Sequence, residues 1–227
     1  MKLNRSTVKN GFLGLALAGL LAACAVPAVL EPQRTAAVPM PVNDAGVTVV
    51  TGAVPGYEGN AGTIGASFDV RNVEVNYASG TITDSGAFTL ELQVPPRDAL
   101  LEVADAWPAG LDIISSNPQA RLAFIYYYAV YEGRERPAGW IFADSVEDPE
   151  EDPEAGDIYA AYVYANEPTR IRINATASGY RYVSDLNLAR GWNRVVTEVV
   201  SVAPGIVTQR ETVDYSRPVP WQYLENE

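Results

Sequence analysis

From Val47 to Tyr215 the chain keeps returning to a period of two, broken by a turn signal about every ten residues. Thr169–Thr176 alternates most cleanly, with Ile171, Ile173 and Ala175 on one side and Arg170, Arg172 and Asn174 on the other. Val47–Val54, Thr63–Arg71, Asn72–Ala78, Gly139–Ala143, Tyr180–Leu188, Trp192–Val202 and Ile206–Tyr215 read as further strands, with a shift of parity at Arg71–Asn72. Two stretches, Arg121–Tyr131 and Ile158–Tyr164, carry apolar or aromatic residues on both faces, so they belong in the middle of the fold, covered on both sides. No long 3.6-residue period competes with this pattern. The expected fold is all-β, an antiparallel β-sandwich with at most one short helix.

Gly80–Leu92 reads as a hairpin turning at Asp84-Ser85-Gly86, with Ile82, Phe88, Leu90 and Leu92 on its buried face. Together with Pro95, the positions Gly80, Ile82, Asp84, Gly86, Phe88 and Leu90 resemble the Gly-x-Ile, Asp/Gly turn and Phe-x-Leu pattern of transthyretin-like and carboxypeptidase-regulatory-like modules. That resemblance, over 46–92, implies an Ig- or transthyretin-like sandwich and transfers no functional residue. The one short helix is expected over Asp98–Trp107, where Leu100, Leu101, Ala104 and Trp107 fall at helical spacing before Pro108 and Gly110. Near the C-terminus, Leu186-x-Leu188-x-x-Gly191-Trp192-Asn193 is similar to a segment of bacterial lipoproteins to which no activity attaches, and Trp221 and Tyr223 are expected to pack the tail onto the sandwich.

The first residues carry Lys2, Arg5 and Lys9 without an acid, and Gly11–Ala22 is an apolar run too short to span a bilayer. It ends in Leu21-Ala22-Ala23-Cys24, which resembles the lipobox of bacterial lipoprotein signal peptides. The resemblance implies cleavage before Cys24 and acylation of that cysteine, palmitate being a typical chain, which would anchor the protein on the extracytoplasmic side of a membrane. With Ala25 following the cysteine, the outer membrane is expected where the host has one. The organisation read from this is 1–23 signal peptide, 24–45 a Pro/Ala-rich tether and 46–227 the β domain, with a sub-division allowed near 96–120.

Loss of residues 1–23 takes the sixteen basic residues to thirteen, all arginine, against twenty-eight acidic ones, a formal charge of −15. The remaining chain has no lysine and no histidine, and its single cysteine is the one the resemblance implies is lipidated. Imidazole bases, histidine zinc ligands, Schiff-base lysines and thiol nucleophiles are therefore unavailable to it. The acidic balance also argues against nucleic acid.

Four groups remain as candidates. Tyr126, Tyr128, Tyr162 and Tyr164, on the two aromatic strands, offer rings that stack on a sugar. Glu147–Asp157 packs seven carboxylates into eleven positions, and Glu150, Glu151, Asp152, Glu154 and Asp157 are candidate Ca²⁺ ligands, although the spacing is not that of an EF-hand loop. A solvated charge run explains the same residues, so no metal or other cofactor is expected. Arg134 and Arg136, with Arg170 and Arg172, are candidates for an anion site. A carboxylate pair of the glycosidase kind stays open, with no residue singled out. The expected role is a non-catalytic envelope lipoprotein, structural, adhesive or accessory, with an envelope protein or glycan as partner. A carbohydrate-binding module is the alternative, and a carboxylate-based hydrolase the second.

Overall fold

Alternation of this kind has to be paired to be stable, and in the computed structural model every strand finds a neighbour. The structure describes residues 40, 47–70, 73–133, 135–146 and 152–226. The signal peptide, Cys24, most of the tether, Arg71–Asn72 and Glu147–Glu151 lie outside them. The N-terminal strands are β1 (Thr48–Ala53), β2 (Gly62–Val70), β3 (Val73–Ile82) and β4 (Ala87–Leu92). Two short strands follow, β5 (Leu101–Glu102) and β6 (Ile113–Ser115), then β7 (Arg121–Ile125), β8 (Tyr127–Tyr131) and β9 (Gly139–Asp144). β10 (Ile158–Ala165), β11 (Thr169–Ala177), β12 (Tyr180–Leu188), β13 (Gly191–Ala203), β14 (Ile206–Val213) and β15 (Trp221–Glu225) complete the chain. They form one hydrogen-bonded sheet in the order β1-β4-β3-β2-β8-β9-β10-β13-β14-β12-β11-β6, with β15 on β9, and β7 on β10 and β5. Pairing is antiparallel except between β12 and β14. The fold is all-β, as the period of two requires.

The sheet folds over itself, so its central strands are shared between two cores. One contains Val50, Ile64, Ile82, Phe88, Leu90 and Leu92 from β1–β4, packed against Ala123 and Ile125 of β7, Tyr162 and Tyr164 of β10 and Trp192 of β13. The other lies on the opposite face: Leu122 and Phe124 of β7 and Val163 and Ala165 of β10 meet Ile171, Ile173, Leu186, Leu188, Val195 and Val213. Alternate residues of β7 and β10 enter opposite cores, which is why neither strand shows a polar face in sequence.

The 80–92 hairpin forms as expected, with Gly86 at φ 79° in the turn and Ile82, Phe88, Leu90 and Leu92 buried. The tail also packs as expected, β15 pairing with β9 and Trp221 meeting Phe88 edge-on at 4.7 Å. The parity shift expected at Arg71–Asn72 falls on residues outside those described. A register shift does occur between β2 and β3, at Ala66 and Ser67, with Tyr77 as the extra residue opposite.

Two expectations need correction. The helix over 98–107 is not formed; Arg97–Ala99 and Val103–Asp105 are single 3₁₀ turns on either side of β5. Leu101 and Glu102 pair with Leu122 and Arg121, so the edge of β7 takes the backbone groups a helix would use internally, and Arg121 clasps Glu102 at 3.0 Å. The strand expected over 121–131 is broken at Tyr126. Ile125 pairs with Tyr162 of β10, whereas Tyr127 pairs with Phe142 of β9. The chain changes neighbours there, and the parity of its side chains shifts with it.

Candidate functional site

The second core is crossed by a polar row. Asp144 of β9 stands opposite Tyr159 of β10, Tyr159 opposite Thr197 of β13, Thr197 opposite Glu211 of β14, and Glu211 opposite Ser184 of β12. Directly paired residues share a face, so five consecutive strands place these side chains in one line. The row then turns apolar at Ile173 and Ile113. Glu211 accepts hydrogen bonds from the Ser184 hydroxyl at 2.5 Å and from the Trp107 indole N–H at 3.2 Å. Trp107 belongs to the segment between β5 and β6, and this bond ties that segment across the sheet. Trp107 also meets Phe124 edge-on at 5.7 Å, and Phe124 lies parallel to Tyr126 at 6.1 Å.

The break at Tyr126 leaves two rings exposed beside this arrangement. Tyr126 is 40% and Tyr127 51% exposed, and Tyr127 leans on Phe142 at 5.6 Å. Burial pushes the Glu211 carboxyl above its usual range, against the two hydrogen bonds that favour its charge. Burial, reinforced by that carboxylate, raises the phenols of Tyr126, Tyr159 and Tyr182, the last to about 12. The Tyr182 hydroxyl is buried with no hydrogen-bond partner among the described residues. Burial also raises Asp144, with the Asp157 charge adding to it. Asp144 and Glu211 are three strand spacings apart, about 14 Å at the backbone, whereas paired glycosidase carboxyl groups work at about 5–10 Å. The arrangement can accept hydrogen bonds, present ring faces and attract positive charge.

The expected surface of four tyrosines does not assemble. Tyr128, Tyr162 and Tyr164 are 1%, 5% and 7% exposed in the first core, and Tyr126 alone of the four reaches solvent. The parity shift at the break sends Tyr128 inward, and pairing of β10 with β13 sends Tyr162 and Tyr164 to the same side. Tyr162 is hydrogen-bonded to Arg194 there. Of the candidate calcium ligands, Glu150 and Glu151 lie outside the described residues. Asp157 accepts the Glu154 backbone N–H at 2.6 Å, and no group of three or more potential metal ligands forms among the described residues. Of the arginines, Arg134 is outside the described residues and Arg170 is committed to Asp185, with its Nε 2.6 Å from Oδ1. Arg172 borders a shallow recess of about 250 Å³ beside Ile114 and Asn174 on the outer face.

Glu211 and Trp107 were not candidates in sequence, yet Glu211 carries a signal. Val207, Gln209, Glu211 and Val213 share one parity in β14, so a charged residue stands where the alternation turns inward. Comparison of the chain with protein-family models finds no match, and comparison with curated proteins and with solved structures finds none either.

Proposed function

We propose that the protein is a cell-envelope lipoprotein, held to the extracytoplasmic side of a bacterial membrane by acyl chains on Cys24. It acts through the surfaces of its β domain, in a structural, adhesive or accessory role, without catalysis of its own. The observation that carries this reading is Leu21-Ala22-Ala23-Cys24 at the end of a charged and then apolar leader. The fold supports it: the first strand begins at Thr48 and Met40 packs on the first core, so the β domain follows Cys24 in the chain. Substitution Cys24→Ser tests the reading. It should block lipid labelling and release the protein from the membrane fraction. A variant that stays with the membrane at the mature size would refute it.

A further inference from the structure

The strands of the polar row segregate charge by face. Their three arginines, Arg181, Arg194 and Arg210, stand opposite Thr208, Tyr162 and Val183, on the parity away from the row. The row itself carries Asp144 and Glu211 and no arginine among the described residues. A carboxylate set among aromatic rings without a cation is electrostatically incomplete, because burial removes water and nothing positive replaces it. Glu211 keeps partial contact with solvent, and the rings of Tyr126 and Tyr127 are exposed. The Tyr182 hydroxyl waits in the same cluster without a partner among the described residues. A hard cation such as Ca²⁺ is a poor fit, since it wants six to eight oxygens. An organic ammonium ion fits better: its charge meets the carboxylate and its polarised C–H surface meets ring faces. The acidic balance of the chain, net −12 before processing, draws cations toward it.

We propose that Glu211, with Tyr126, Tyr159 and Tyr182 around it, is a binding site for a small organic ammonium ion. The test uses the full chain in non-ionic detergent. Choline and tetramethylammonium are titrated while tryptophan fluorescence, to which Trp107 reports from its bond with Glu211, and binding heat are followed, with sodium chloride at matched ionic strength. The expected result is a saturable change with both ammonium ions and none with sodium. Tyr126→Ala removes an exposed ring and should leave the fold intact while weakening binding about five-fold. Glu211→Gln should abolish saturation, with an unchanged circular dichroism spectrum as the condition for reading that variant. A response matched by sodium, an affinity unchanged in Tyr126→Ala, or saturation by neutral methyl glucoside in place of choline would overturn the proposal.

Discussion

Replacing Trp192 by alanine tests whether the two layers of the sandwich are joined where the structure joins them. Trp192 is 3% exposed on β13 and meets Tyr164 edge-on at 5.5 Å and Tyr77 at 6.4 Å. Its indole N–H donates to the Gln93 carbonyl at 3.0 Å, just after β4. One side chain thus connects β13 and β10 to the β3–β4 hairpin. Truncating a buried aromatic side chain to alanine costs about 3–5 kcal/mol. Gln93 is exposed, so water takes over its carbonyl and the lost hydrogen bond adds little. We expect about 4 kcal/mol, or about ten degrees in melting temperature for a domain of this size. Trp192→Phe keeps a ring and should cost about 1–2 kcal/mol. Urea unfolding of the three proteins, followed by far-UV circular dichroism, supplies the values. A double-mutant cycle with Tyr77→Leu should return a coupling of about 0.5–1.5 kcal/mol. A loss below about 1 kcal/mol for Trp192→Ala, with no coupling to Tyr77, would refute this packing of the layers.

Four further outcomes follow from the structure. Because the folded Glu211 carboxyl is raised above its usual value of 4.5, its stabilising effect is complete below that value and is lost as pH rises through the folded pKa; urea midpoints should therefore fall over that window, and less so in Glu211→Gln. Asp214, held low by hydrogen bonds from Ser216 and Arg217 that outweigh its burial, has the opposite sign, its contribution fading as pH falls through its depressed folded pKa. Burial raises Tyr77, Tyr182 and Tyr215 to about 12, so absorbance at about 295 nm should show these phenols ionising late, and the fold should lose stability as pH rises from 10 toward 12. Gly80→Ala would drive its Cβ into the Thr89 carbonyl and to 2.9 Å from the Leu90 Cα, so thermal unfolding should show a loss of about 2 kcal/mol or more.

How much of this the sequence disclosed depends on whether the deciding interaction is local. Strand positions were legible because alternation is a property of neighbouring residues, as in β4, where burial alternates at every residue from Ala87 to Leu92. The two-faced character of β7 and β10 was legible for the same reason. The break at Tyr126 was not, because in Phe-Ile-Tyr-Tyr-Tyr-Ala-Val no polar residue marks a parity that could shift. Without that shift, the direction of Tyr128 cannot be read. The 98–107 segment misled because Leu100, Leu101, Ala104 and Trp107 satisfy helical spacing, while the partner that unwinds it, Leu122, lies twenty-one residues beyond Leu101. The polar row was hidden more deeply. Its five members come from five strands, and only the register between those strands aligns them.

Intact mass and N-terminal peptide analysis of the membrane-derived protein test the central claim most directly. A lipid-anchored envelope protein should yield a mature chain that begins at Cys24 and carries diacylglycerol on its thiol. A chain that retains residues 1–23, begins elsewhere, or begins at an unmodified Cys24 would contradict it.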